Sequence, residues 1–175
     1  GRHHAFAVNG EYKKAFDAWP FGQPAERNVL EALACGKSLR QACKTISTSL
    51  RKLWVNAFQS TLFNEVLQRR QKDGTWNKIL GGDVVWNHEG GGRTFIATAE
   101  DINCTVTKDR LDTFEIFPTG PLWGAKMRLP KGTVLELEKC AVSTYGVGDQ
   151  QFENIKKMAK GTRRPLRVQV ANQKT

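Results

Sequence analysis

Six of the twelve residues from position 156 to 167 are cationic: Lys156, Lys157, Lys160, Arg163, Arg164 and Arg167, with Gly161-Thr162 as a break and Pro165 fixing the backbone. Such side chains neutralise phosphates and release their counterions, so the run is a candidate phosphate-contacting segment, although a solvated surface can have the same composition. Arg51, Lys52, Arg69 and Arg70 gather toward the two ends of a segment with helical periodicity and extend that candidate set. A second kind of chemistry is offered by Pro118-Thr119-Gly120-Pro121-Leu122-Trp123-Gly124, where two prolines and two glycines around a tryptophan predict a rigid, specially bent loop. Trp123 held there either stacks on an unpaired base or packs into a corner of the core. Asn56, Ser60 and Asn64 recur at steps of four as a polar line, able to grip a backbone or simply to face water.

Other chemistries find no footing. Cys35, Cys43, Cys104 and Cys140 form no C-x-x-C pair, and His3, His4 and His88 are not at metal-ligand spacing, so no metal site is expected. Scattered cysteines without a secretion signal fit a reducing cytoplasm, where they are expected as small buried apolar groups. No phosphate-binding loop, dinucleotide fingerprint, nucleophile elbow or zinc-protease motif occurs, and no catalytic triad can be assembled. Lys and Arg number 27 against 17 Asp and Glu, a net charge of +10. The excess is uneven: residues 81–150 carry seven basic and ten acidic side chains, whereas residues 151–175 carry seven and one. That is what a one-sided footprint for a polyanion looks like in sequence.

These residues must be positioned by an α+β domain. At 175 residues the chain can bury a core without staples, and it has no apolar run long enough to span a membrane. Tyr12, Ala15, Phe16 and Trp19 predict a short helix stopped by Pro20, and Val29, Leu30, Leu33 and Ala34 a second ending at Gly36. Ser38 caps a third, through Ile46. A long helix over residues 49–72 is predicted by Leu50, Trp54, Phe58, Leu62 and Val66, widened by Leu53, Ala57 and Leu67, as a buried stripe. Short strands are expected at Val84-Val85-Trp86, Phe95-Ile96-Ala97 and Phe114-Glu115-Ile116-Phe117. Helices return around Val134–Val142 and Phe152–Ala159, and Leu166, Val168 and Val170 alternate as a closing strand. The architecture is thus a mixed single domain: a helical N-terminal half, a long central helix, short strands and C-terminal helices.

The chain resembles the TruD family of tRNA pseudouridine synthases. The resemblance rests on Phe58-Gln59-Ser60-x-Leu62-Phe63-Asn64-Glu65-Val66-Leu67 followed by Arg69 or Arg70, and on Gly82-Asp83. It continues through Phe114-Glu115-Ile116-x-Pro118-Thr119-Gly120-Pro121-Leu122-Trp123-Gly124 and Gly161-x-Arg163-Arg164-Pro165-Leu166-Arg167-Val168, in the family's order over nearly the whole chain. It implies conversion of a tRNA uridine to pseudouridine without cofactor or metal, by an aspartate in a Gly-x-Lys-Asp motif of a catalytic domain into which a TRUD domain is inserted. Residues 1–175 look like that inserted domain alone, lacking the catalytic segments before and after it. The implied partners are tRNA and those missing segments of the same chain, with no membrane, a monomeric state and a cytoplasmic location. Lys108-Asp109 imitates the catalytic motif but lacks its preceding glycine, so Asp109 is not expected to be the nucleophile. Asp83 follows a glycine pair, where turn formation is the simpler role. No carboxylate here is assigned catalysis; the expected role is to hold RNA, the alternatives being a freestanding basic RNA-binding module or a domain for an acidic protein partner.

Overall fold

The structure, a computed structural model, describes residues 2–169. In chain order these form α1 (Arg2–Val8), α2 (Tyr12–Ala18), α3 (Pro24–Ala34), α4 (Leu39–Cys43), α5 (Thr48–Lys72), β1 (Val84–Asn87) and β2 (Arg93–Ile96). There follow α6 (Ala99–Asn103), α7 (Thr105–Asp112), β3 (Ile116–Leu122), α8 (Gly132–Ser143), α9 (Asp149–Asn154) and β4 (Thr162–Pro165). The fold is α+β, its strands making one antiparallel sheet in the order β2-β1-β3-β4. Helices α1, α6 and α7 add to those expected from periodicity; none has a buried residue, so none carries an apolar stripe to read. No helix among the described residues is long and apolar enough to cross a membrane, and no group of side chains there could hold a metal ion.

The single expected domain contains two compact units, Gly1–Trp54 and Val55–Thr175. In the first, Ala15, Trp19 and Leu30 pack with Phe6, Tyr12 and Phe16, and Arg27 donates to the carbonyls of Phe16 and Trp19 at the end of α2. Ser38 caps α4 as expected: its hydroxyl accepts from Gln41 N–H while the Gln41 side chain accepts from Ser38 N–H. In the second unit one core joins Leu62, Trp123, Met127, Val142 and Phe152, and another joins Val85, Ala97 and Ile116.

The expected stripe on α5 is only half right. Its buried residues are Gln59, Leu62, Phe63, Val66 and Arg70, while Leu53 is 61% and Trp54 40% exposed, Ala57 is exposed, and Phe58 and Leu50 are half-buried. Residues at steps of four advance by about 40° each on a helix of 3.6 residues per turn, so Leu50 and Val66 stand roughly 160° apart and cannot share one face. The real inward face runs at mixed steps of three and four and includes two polar residues.

Pro118–Leu122, expected as a loop, is instead the body of β3. Its first half pairs with β1 through Val85↔Pro118, and its second half with β4 from Thr119↔Pro165 to Leu122↔Thr162. The exchange falls at Pro118, which pairs with Val85 of β1 while its carbonyl accepts from Leu166 N–H at 2.9 Å; Pro121 beyond it has a ladder partner on one side only, the edge-like setting where strands tolerate proline. The closing strand also moves: β4 ends at Pro165, Leu166 is buried just beyond it, Val168 is 71% exposed, and Val170 lies outside the described residues. The last helix stops at Asn154, with Ala159 buried in the turns that follow. All four cysteines are exposed rather than buried, because Cys35 and Cys104 are helix-cap residues and Cys43 and Cys140 fall on outer faces.

Candidate functional site

Several expected cations are used up inside the protein. Arg70, in the last turn of α5, is 1% exposed and clamps Asp83 with both Nη atoms at 2.6 and 3.0 Å, also donating to the carbonyls of Thr75 and Lys78. Asp83 is thereby a turn residue and an ion-pair partner at once, since Oδ2 accepts from Leu80 N–H at 2.7 Å. Arg163 is paired in the same way with Glu138 of α8 at 2.9 and 2.6 Å, and donates to the Thr119 hydroxyl and carbonyl. Burial pushes the Glu138 carboxyl up from its ordinary range, while Arg163 holds part of that rise back. Both arginines were expected to meet RNA and both are interior: Arg70 falls on the inward face of α5, and the strand period of β4 turns Arg163 inward and its neighbour Arg164 outward. Trp123 is also corrected: at 3% exposure it packs against Phe152 in the core and offers no platform to a base.

Other candidates are accessible but occupied. Arg69 bonds Glu65 at 2.8 Å, Cys140 Sγ at 3.0 Å and Thr144 Oγ1 at 3.0 Å, tying α5 to α8. Arg51 donates to Thr48 and Lys156 pairs with Glu153, whereas Lys52 is exposed with no partner among the described residues and belongs to the N-terminal compact unit. Arg167 lies over the Phe114 ring, 4.4 Å from its centroid, and donates to the Leu111 carbonyl. Phe114 itself has φ +62°, the left-handed residue of a Schellman end to α7, with Phe114 N–H bonded to Leu111 and Glu115 N–H to Arg110.

What remains is a group of exposed cations without carboxylate partners among the described residues: Lys157, Lys160, Arg164 and Lys126, the last not anticipated. The backbone brings the Lys126 and Lys160 segments together. Lys126 N–H bonds the Lys160 carbonyl at 2.8 Å and Ala125 N–H that of Ala159, while Gly120↔Arg164 and Leu122↔Thr162 continue the pairing. This close approach depends on glycine, for a Cβ at Gly124 would stand 2.4 Å from Gly161 N, and one at Gly161 (φ +82°) would stand 2.7 Å from Gly124 Cα. The outward Arg164 guanidinium lies 5.1 Å from the Phe63 ring centroid.

Beside this ridge opens a cavity of about 460 Å³, with Asn56, Gln59 and Ser60 of α5 on one side and Leu122, Met158, Lys160, Gly161 and Thr162 on the other. The polar line of the sequence therefore splits: Asn56 and Ser60 line the cavity, and Asn64 is exposed away from it. The side chain that grips a backbone is Gln59, whose Nε2 donates to the Trp123 carbonyl at 2.6 Å. The rest of the motif builds the supports. Phe63 and Leu166 close so tightly over Gly120 that a Cβ there would meet them at 2.8–2.9 Å; the Thr119 hydroxyl bonds Val84 O; Pro118 and Pro121 are fully buried. Phe58 is half-buried against the Leu62 core. Glu138 was missed, although it lies four residues after buried Val134 and three before buried Ala141, a carboxylate on an apolar stripe that had to find a cation.

Residues 2–175 match the family model described as tRNA pseudouridine synthase D (TruD). The chain belongs to the TruD family. The tRNA pseudouridine synthase D of Geobacter sulfurreducens is 32% identical over 161 residues, covering 91% of this chain and 38% of that protein. That of Anaeromyxobacter dehalogenans is 35% identical over 121 residues, covering 69% and 33%. The structure of a Methanosarcina mazei chain assigned as TruD superposes with a TM-score of 0.71 at 25% identity, covering 89% of this chain and 38% of that one. The chain thus spans between a third and two fifths of the length of these TruD relatives.

Proposed function

We propose that this chain is the RNA-holding part of a tRNA pseudouridine synthase, positioning tRNA while isomerisation is carried out by residues outside it. The observation that carries the reading is a set of exposed cations without carboxylate partners among the described residues: Lys157, Lys160 and Arg164 in one short stretch of chain, and Lys126 held beside it by its N–H bond to the Lys160 carbonyl. A uridine must leave the stack before its glycosidic bond is broken and remade, and phosphate contacts from a neighbouring segment fix the register of the RNA without reading its sequence. The two aspartates that the sequence motifs single out are poorly suited to the chemistry. Asp83 is saturated by Arg70 and a backbone N–H, and Asp109 sits exposed on α7. The catalytic partner is the remaining part of the relatives' length, and tRNA is the shared ligand.

Filter binding of unmodified tRNA over a range of salt concentrations tests the reading. Each lost phosphate contact makes the slope of log affinity against log salt shallower by about 0.7 in single-stranded RNA, and by somewhat more in a duplex. Lys157→Ala, Lys160→Ala and Arg164→Ala should each show that change, with no loss of melting temperature. Unchanged slopes in all three would dismiss the ridge as a solvated face and leave the RNA-holding role unsupported.

A further inference from the structure

Resting on that RNA reading, we propose that the 460 Å³ cavity between α5 and the 158–162 segment holds one unstacked ribonucleotide, so that this chain binds single-stranded or looped RNA in preference to a duplex. The volume lies within the roughly 300–1,000 Å³ of small-ligand pockets. Its chemistry is graded in the way a nucleotide is. Leu122 and Met158 offer half-buried apolar surface to a base face, and methionine sulfur is a favourable neighbour for aromatic rings. Gln59 and Asn56 offer amides to a base edge, Ser60 and Thr162 offer hydroxyls to a ribose, and Lys160 brings a positive charge for the attached phosphate.

The free hydrogen-bonding capacity is specific. Gln59 is 7% exposed and its Nε2 is committed to the Trp123 carbonyl, which fixes the amide plane; its Oε1 accepts no hydrogen bond among the described residues. The Asn56 amide, the Thr162 hydroxyl and the Lys160 ammonium likewise have no partner there, and the Ser60 hydroxyl, donating to the Asn56 carbonyl at 3.0 Å, keeps its acceptor lone pairs. One wall is anchored to the core through Gln59. The other is anchored through the contact of Gly124 with Gly161, so the two sides do not have to be ordered by the ligand. Bases inside a duplex have their edges paired and their faces stacked, and cannot enter such a site; an unpaired base can.

The test uses the 175-residue chain with three probes: a short single-stranded oligouridylate, its 2′-deoxy counterpart, and an RNA duplex of the same length. The variants Asn56→Leu, Ser60→Ala and Thr162→Val change no charge, and Asn56 and Thr162 are exposed, so folding is not at stake. Each should weaken binding of the single-stranded ribo-oligomer by about three- to tenfold, the loss expected of one hydrogen bond, while the salt slope and duplex binding stay the same. Ser60→Ala or Thr162→Val should also shrink the preference for ribose over deoxyribose. If the parent chain binds all three probes with a steep salt slope and the variants bind them equally well, the cavity is not a nucleotide site and only this inference falls. If the parent chain binds none of them, the RNA-holding role falls and the nucleotide site with it.

Discussion

Arg70 and Arg163 each meet a carboxylate with two parallel hydrogen bonds in the interior, and neither can lose its partner without leaving a buried charge. Removing one member of such a pair typically costs about 3–5 kcal/mol. Asp83→Ala and Glu138→Ala should each lower stability by roughly that amount in chemical denaturation, and an apolar replacement of both members of a pair should cost less than either single change. A loss below ~1 kcal/mol in the single variants would mean that water reaches the pairs. Asp101 carries a pH dependence. Thr98 N–H and its hydroxyl hold the Asp101 carboxyl below its ordinary range. A carboxylate with a lowered folded value stabilises above its unfolded value and loses that contribution as pH falls through the folded one. Melting temperature measured from neutral to acid pH should therefore drop less steeply in Asp101→Asn than in the parent chain. At this scale the sequence was legible for residue type but not for direction. The cations of 156–167 were visible, yet which of Arg163 and Arg164 faces water depended on a two-residue period placed by the second half of β3, which the prolines concealed beyond the strand expected up to Phe117.

Helix α5 and strand β3 illustrate what can be read of an element. The extent of α5 was legible to one residue, because Ser47-Thr48-Ser49 and Asp73-Gly74 are strong end signals and Leu50 N–H does bond the Ser47 hydroxyl. Its inward face was not, since an apolar stripe could not anticipate buried Gln59 and Arg70, each of which is tolerated only because a distant partner satisfies it. Leu62→Ala should cost about 2–5 kcal/mol, whereas Leu53→Ala and Trp54→Ala, on exposed positions, should stay within roughly 0.5 kcal/mol. Denaturant midpoints of the three variants decide between the observed face and the stripe that the sequence suggested. For β3, composition pointed to a bent loop because proline and glycine usually break structure. The strand survives by exchanging one neighbour for another at Pro118-Thr119, a property of the sheet that no local window contains.

For the molecule as a whole, α+β class and TruD membership were both legible, the first from the change of period after Gly74 and the second from motifs whose residues turn out to be mainly structural. The chain spans about two fifths of relatives such as that of Geobacter sulfurreducens, and of its motif-like carboxylates Asp83 is saturated and Asp109 is exposed on a helix surface. Incubated alone with unmodified tRNA, it should yield no pseudouridine by chemical mapping, and product abolished by Asp109→Asn would overturn the assignment of chemistry to residues outside it. The contact of Gly124 with Gly161 has a consequence for the family's history. The atoms that a new side chain would strike on either partner are backbone, so no exchange at one position can make room for a larger residue at the other. Compensating pairs cannot arise there. In an alignment of relatives that keep this contact, both positions should stay glycine and show no correlated change, and inference from covariation should pass over one of the closest approaches in the molecule.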